Sequence, residues 1–300
     1  MCSSDLNTNI SASLAQASLA KNERALSKAM EQLSTGKKIN TAADDAAGLA
    51  ISSRMTSQIV GLEQSVQNAH DAISMIQTAE SALDEMTNML LRMRELALQA
   101  SNGTGSVADR NYLQDEFGRL KAEIDRIANN TEWNGRAVLN GNAGGTGVTD
   151  VSYQVGGNAG QTISVNFGNM TGGGLATGAS GIAAGTNSGS RALADLAISG
   201  ATTAAAQDNA SAAMTGIDNA IENISNQRAS FGAAVNQLTH AIDNLTQVSI
   251  NAASTRSRIM DTDYAKATSE LAKAQIIQQA GTAMLAQANQ LPASVLDLLQ

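Results

Sequence analysis

The sequence predicts a mainly α-helical protein: a long out-and-back helical rod with a coiled-coil pair of terminal helices and a small β-hairpin region. Three observations predict this fold class. A long heptad repeat fills much of the first half of the chain, a matching repeat fills the second half, and a glycine-rich stretch separates them. The 300 residues contain a single proline, Pro292, so few helix breakers interrupt the repeats.

The longest repeat runs from about Asp44 to Ala100 and predicts one continuous helix. A helix of that length would extend roughly 85 Å at 1.5 Å per residue, so it requires partner helices of similar length. Its apolar residues recur at alternating steps of four and three, which is typical of a coiled-coil seam. They are Met55, Ile59, Leu62, Val66, Ala69, Ile73, Ile76, Ala79, Leu83, Met86, Leu90, Met93, Ala97 and Ala100.

Two shorter helices flank the long one. The first covers residues 6–33 and ends at Ser34-Thr35-Gly36; the second follows the turn after Ser101. The first has its seam at Ala12, Ala15, Leu19, Leu26, Met30 and Leu33, and the second at Leu113, Phe117, Leu120, Ile124 and Ile127. Asp44 and Asp45 stand where carboxylates stabilise the start of the long helix.

The second half mirrors the first, with a long helix followed by a short one that ends at Pro292. In the long helix we predict that Arg228 fills the one polar position of the seam. Its apolar seam residues are Ala210, Met214, Ile217, Ile221, Ile224, Phe231, Val235, Leu238, Ile242, Leu245, Val248 and Ala252. In the short helix they are Leu271, Ala274, Ile277, Met284, Ala288 and Leu291.

The glycine-rich middle predicts turns and a hairpin. Asn134-Gly135 is a turn pair, and residues 151–155 and 163–167 alternate apolar and polar side chains around a glycine-rich turn. Residues 168–190 are almost entirely small and polar, so we expect a surface loop at the tip.

Composition excludes several classes of function. A net charge of −8 argues against nucleic acid or an anionic membrane as the main partner, and no stretch reaches transmembrane length. The single cysteine, Cys2, excludes an internal disulfide framework, and no nucleophile, base or metal set is visible, so we expect neither an enzyme nor a cofactor. Residues 1–20 contain no secretory apolar run, so export would need another route.

The terminal helices point to self-association. Ile276 stands beside Ile277 and Met284 beside Leu285, so a two-helix pair would leave apolar side chains uncovered. The same segments of neighbouring copies could cover them, and head-to-tail contacts that do not close into a ring propagate a helical filament. The residues we assign to assembly are Leu19, Leu26, Leu33, Leu271, Ile276, Ile277, Met284, Leu285 and Leu291.

At both ends, over roughly residues 6–141 and 200–300, the chain resembles bacterial flagellin. The matching stretches are LNTNISA, LSTGKKINTAADDAAGLAIS, LRMRELALQASNGT, EIDRIANNTEWNG, NQRASFGAAVNQL, STRSRIMDTDYAKA and AQIIQQAGTAMLAQANQLPASVLDLL. The resemblance implies a subunit that is secreted and self-assembles into the flagellar filament for motility. It divides the chain into an inner coiled-coil domain (1–40 and 256–300), a helical rod domain (41–140 and 201–255) and a glycine-rich hairpin and tip loop (141–200).

The same resemblance implies partners and one recognition site. The partners are other copies of the chain, the flagellar export apparatus, an export chaperone, and the cap and junction proteins. In flagellins whose LxRxREL-like stretch matches, this surface is read by the innate receptor Toll-like receptor 5. Arg92, Leu96 and Glu116 fall on the matching positions. Leu91 and Met93 differ from the commonest residues there.

Two alternatives stay open from the sequence. A hook-filament junction protein would share the terminal helices. A surface adhesin or glycan-binding coiled-coil protein would use the glycine-rich tip, where Tyr153 and Phe167 are the only support for it.

Overall fold

A computed structural model describes residues 9–175 and 193–297 of the chain. In these residues the chain forms long helices and two small antiparallel hairpins, which confirms the predicted mainly α fold class. The helices are α1 (Ile10–Thr35), α2 (Ala46–Ser101), α3 (Val107–Asn130), α4 (Thr203–Met260) and α5 (Tyr264–Asp297). The strands are β1 (Glu132–Trp133), β2 (Arg136–Ala137), β3 (Asp150–Gln154) and β4 (Thr162–Asn166).

The chain divides into two compact units. The terminal unit contains the described residues up to Ile59 and from Ile250 onward, and the central unit spans Val60–Ser249. Each long helix therefore contributes one part to each unit.

The central unit has a continuous apolar core built from α2, α3, α4 and both hairpins. Leu83, Leu90 and Met93 of α2 are fully buried, as are Phe117 of α3 and Phe231 of α4. The predicted seams of these helices thus face one another. At the edge of this core, Arg94 Nε of α2 lies 2.7 Å from Asp218 Oδ1 of α4, and Gln207 Nε2 donates to the Ser101 carbonyl, so α2 and α4 run antiparallel here.

The turn between α2 and α3 is closed by polar groups at both helix ends. The buried Arg110 guanidinium donates from Nε to the Ala100 carbonyl at 3.0 Å and from Nη2 to the Asn102 carbonyl at 2.8 Å. Ser106 and Asp109 form a capping box that satisfies the first amides of α3. Helix α3 consequently turns back immediately after α2 ends.

The β3–β4 hairpin forms where the sequence predicts a hairpin, and the predicted turn pair Asn134-Gly135 closes the β1–β2 hairpin. Asn134 and Gly135 adopt φ values of 51° and 74°, as a two-residue hairpin turn between β1 and β2 requires. In the second hairpin Val151 pairs with Val165, and both side chains face the core. Tyr153 donates its hydroxyl to Met75 Sδ at 2.9 Å, and burial raises the pKa of this tyrosine to about 12.

The polar position in the seam of α4 is Gln227, so the assignment of Arg228 to it is wrong. Gln227 is 5% exposed and donates from Nε2 to the Asn166 carbonyl of β4 at 2.6 Å. Arg228 lies on the flank, where its guanidinium faces Glu80 and Asp84 of α2 at 4.0 and 3.2 Å. Gln227 satisfies the strand carbonyl from inside the core, whereas the charge of Arg228 is paired with carboxylates at the surface.

The start of the glycine-rich run is packed, so the expected surface loop is wrong for residues 168–175. Met170 and Leu175 are buried. The Gly172 amide donates to Asp125 Oδ1 of α3 at 2.6 Å, and Asn223 Nδ2 of α4 donates to the Leu175 carbonyl at 2.5 Å. Residues 176–192 of the predicted tip loop lie outside the described residues.

Two further predictions, the end of α5 and one seam residue of α4, are wrong. Helix α5 continues past Pro292 to Asp297, so the prediction that this proline ends the helix is wrong. Proline's fixed φ near −65° fits helical backbone, so a helix can continue past it, at the cost of one amide donor and of crowding against the carbonyl four residues earlier. Val248, which we predicted in the seam of α4, is exposed.

We expect Gln227→Ala to lower the free energy of unfolding by about 1–3 kcal/mol, because the Asn166 carbonyl loses its donor in a buried setting. Gln237→Ala, on the exposed side of the same helix, is the control and should change stability by less than about 0.5 kcal/mol. Urea unfolding followed by circular dichroism measures both, and equal stabilities would contradict a structural role for the Gln227 amide.

Candidate functional site

In the terminal unit, α1 and α5 form an antiparallel pair whose register is set by hydrogen bonds. Asn9 Nδ2 donates to the Ala288 carbonyl at 2.8 Å, and Asn22 Nδ2 donates to the Ala274 carbonyl at 2.7 Å. At the other end, the Lys38 amide donates to the Met260 carbonyl and the Thr262 amide to the Gly36 carbonyl. These contacts confirm the predicted pairing of the terminal helices.

Small side chains occupy the centre of this pair. Ala29, Ala267, Ala274 and Ala288 are buried there together with the polar Asn22. Leu19 lies against Gly281, where an added Cβ would come within 2.6 Å of Leu19 Cδ1. The contact is therefore close but thin, and it buries few large apolar groups.

The predicted seam of α1 omits Asn22 and Ala29, which lie at its inner positions. Asn22 and Ala29 continue the seven-residue spacing from Ala15, whereas Met30, which we placed in the seam, is exposed. An asparagine at such a position fixes the register of a coiled coil but carries no apolar signal in the sequence. The seven-residue spacing from Ala15 through Asn22 to Ala29 is the sequence signal that indicates the inner position of Asn22.

The large apolar side chains of α5 lie on one side of the pair. Ile276 and Met284 are each 66% exposed, and Ile277 is also exposed. Because Ala274 and Ala288 face α1, a rotation of 100° per residue places Ile277 and Met284 on one side of α5. Gln275, Gln279 and Thr282 fall on the other side, which we call the glutamine flank.

Helix α1 adds exposed apolar groups to the Met284 side. The antiparallel register brings Leu14 to the level of Met284, and the helical spacing turns both toward the same side. We call this surface the apolar flank; it comprises Ile10, Leu14, Ile276, Ile277 and Met284, all exposed. Met30 falls on the side of the glutamine flank by the same spacing.

The residues that we assigned to assembly divide into three groups. Ile276, Ile277 and Met284 lie on the apolar flank. Leu291 belongs to α5, and its side chain is not among those that the structure describes. The others are half-buried in the α1–α5 pair: Leu19, Leu26, Leu33, Leu271 and Leu285.

A polar loop joins α1 to the start of α2. The Asp44 carboxylate contacts Lys28 Nζ of α1 at 2.7 Å and accepts the amides of Asn40 and Thr41. The hydrogen bond from Lys28, followed by those two backbone bonds, lowers the pKa of Asp44 to about 2. Asp45 caps α2 by accepting the Gly48 amide at 2.9 Å, as the sequence predicts for this acidic pair.

The residues matching the receptor-recognition motif lie in the central unit. Arg92 Nη1 lies 2.9 Å from Glu95 Oε2, and its Nη2 lies 2.9 Å from Glu116 Oε1 of α3. The bonds to Glu95 and Glu116 raise the pKa of Arg92. Leu96 does not share this exposed surface, because it is 1% exposed and packs in the core.

The described ranges contain neither a metal-binding cluster nor a membrane-spanning helix. Among residues 9–175 and 193–297, no group of three or more His, Cys, Asp or Glu side chains is placed to hold a metal ion. Over the same part of the chain, none of the helices is long and apolar enough to cross a membrane.

An antiparallel terminal helix pair with an exposed apolar flank is typical of helical subunits that bind another protein surface. Residues 6–144 match the bacterial flagellin N-terminal helical region, and residues 214–299 match the bacterial flagellin C-terminal helical region. The chain belongs to the bacterial flagellin family.

Relatives match along nearly the full length. The chain is 43% identical to a flagellin of Bacillus subtilis over 98% of its own length and 99% of that relative's. It is 41% identical to the flagellar filament 33 kDa core protein of Treponema phagedenis, with the same coverage. The solved structure of a flagellar hook-associated protein from Vibrio parahaemolyticus covers 73% of this chain and 100% of that one. At 16% identity and a TM-score of 0.58, it shares the fold alone.

The family decides between the functions that the sequence left open. Flagellins are structural proteins of the flagellar filament, so the chain is a filament structural subunit and not an enzyme. The full-length identity to flagellins favours this function over a junction protein or an adhesin.

We expect the terminal unit to lose stability as the pH falls from about 4 toward 2. The folded-state pKa of Asp44 lies below its ordinary value of 3.8, so its contribution is present above that value and is lost as the pH falls through about 2. Hydrogen exchange of the amides of residues 37–45 measures this. Asp44→Asn should flatten the pH profile, whereas Asp71→Asn, on an exposed position of α2, should leave it unchanged.

Proposed function

We propose that copies of the chain join by packing the apolar flank of one terminal helix pair against the terminal helices of its neighbours. The observation that carries this proposal is the exposure of Ile276, Ile277 and Met284 of α5 beside Leu14 of α1. Burying an isoleucine, leucine or methionine side chain contributes about 1.5–3 kcal/mol, so contacts along the flank offer the stabilisation that the α1–α5 pair lacks.

The two sides of α5 suit different environments. The apolar flank gains by leaving water, whereas the amide and hydroxyl groups of Gln275, Gln279 and Thr282 lose hydrogen bonds unless a partner replaces them. We therefore assign the subunit contacts to the apolar flank and leave the glutamine flank hydrated. A contact between different surfaces of successive copies propagates as a helical filament when it does not close.

We also propose that the chain reaches the outside of the cell by the flagellar export route. In this proposal it meets the export apparatus, an export chaperone, and the cap and junction proteins. Membership of the flagellin family supports this route.

We expect Ile276→Asp to prevent the extension of filament seeds while the monomer keeps its helix content. The side chain is already solvated in the monomer, so the carboxylate is penalised only when a neighbouring copy buries it. Gln279→Asp introduces the same charge on the glutamine flank and should extend seeds normally. Sedimentation and electron microscopy distinguish the two, and normal filaments from Ile276→Asp would contradict the assignment of the flank.

A second proposal concerns recognition of the monomer by Toll-like receptor 5. The observation that favours it is that α2 and α3 bring Arg92 and Glu116 together on an exposed surface with Glu95. Arginine is a frequent anchor of protein interfaces because its planar guanidinium donates several hydrogen bonds. Leu96 acts in this proposal by packing beneath the surface, since it is buried.

We expect Arg92→Ala to weaken receptor binding by about 1–3 kcal/mol while stability changes by less than about 1 kcal/mol. Arg94→Ala removes a comparable surface ion pair, the one with Asp218, and should keep the binding of the unchanged protein. Surface plasmon resonance with the receptor ectodomain measures the effect. Equal losses for both variants would remove the basis for a specific role of Arg92.

A further inference from the structure

We propose that Met284 is an oxidation site whose conversion to the sulfoxide blocks subunit assembly. Of the methionines in the described residues, only Met30 and Met284 are exposed, at 57% and 66%. Met75, Met86, Met89, Met93 and Met170 are buried in the central core, and Met55, Met214 and Met260 are partly covered. Within the described part of the chain, the methionines of α1 and α5 are therefore the most accessible.

The chemistry requires only a peroxide and the methionine side chain. A sulfur lone pair attacks one oxygen of hydrogen peroxide, an S–O bond forms and the O–O bond breaks. The departing hydroxide takes up the proton of the transferred oxygen and leaves as water. The sulfur loses two electrons and the peroxide gains them, so thioether and peroxide give sulfoxide and water.

The effect of each sulfoxide on assembly depends on where the methionine lies. Met284 stands on the apolar flank at the level of Leu14, and the inference rests on the proposed role of that flank in assembly. A sulfoxide there places a strongly polar S–O group in a contact that gains its stability by excluding water. Met30 lies on the side of the glutamine flank, so its sulfoxide stays hydrated and is the internal control within the chain.

The test uses the full-length chain in four forms: unchanged, Met284→Leu, Met30→Leu and the double variant. Each is treated with hydrogen peroxide as a monomer, quenched, and divided between peptide mass spectrometry and extension of untreated filament seeds. Leucine keeps the volume and apolar character of methionine and cannot be oxidised in this way. A parallel sample is treated after it has assembled.

We expect mass spectrometry to find sulfoxide at positions 284 and 30 before any buried methionine, and protection of position 284 in assembled filaments. The treated unchanged chain and the treated Met30→Leu variant should lose seed extension by about tenfold or more. The treated Met284→Leu variant and the double variant should extend seeds as the untreated chain does. Enzymatic reduction of the sulfoxide should restore extension to the unchanged chain.

Two results would overturn the inference: equal oxidation of buried and exposed methionines, or loss of extension by treated Met284→Leu. A failure of the proposed assembly surface is recognised separately, because untreated Ile276→Asp would then extend seeds normally. If that happened while treated chains still lost extension through Met284, the methionine would act at a contact other than the apolar flank.

Discussion

The close contact between α1 and α5 is the constraint on which the terminal unit depends. Alanines and Gly281 let the two backbones approach, and side-chain amides of Asn9 and Asn22 hold the register by donating to carbonyls of the opposite helix. Small groups fill the centre of this contact and leucines such as Leu19 are half-buried beside it, whereas the bulky side chains of Leu14, Ile276 and Met284 remain outside. The apolar surface available for assembly is thus a direct result of how the pair is packed.

The central unit packs its apolar side chains in a different way from the terminal pair. There α2, α3 and α4 surround large side chains, and the hairpins and the packed residues after β4 cover the remainder of the core. Phe167 and Phe231 meet with ring centroids 5.2 Å apart, which ties the end of the second hairpin to α4. This unit buries a large apolar cluster within one copy and leaves Leu91, Leu98 and Tyr112 exposed on its surface, whereas mainly small side chains are buried in the terminal pair.

Polar side chains at seam positions fix the register in which the helices of both units pair. Asn22 in α1 and Gln227 in α4 each donate to a carbonyl of another element, and a shift of register would bury that amide without its acceptor. Such residues contribute little apolar burial. Their effect is to make alternative pairings less favourable, which matters in helices built from similar heptads.

The heptad spacing by itself determined the helices, their order and the pairing of the terminal segments. The alternation of apolar and polar residues around a glycine-rich turn located the β3–β4 hairpin, because strand and turn signals are local in the sequence. Tertiary packing decided the rest. Gln227 is buried because its amide reaches the Asn166 carbonyl, whereas the Arg228 guanidinium faces carboxylates of α2 on the flank. Leu96 is covered although its motif suggested exposure, and Leu175 enters the core because α3 and α4 supply partners for the backbone beside it. Which of these side chains is buried depends on contacts between residues far apart in the chain, and a local repeat carries no information about such contacts.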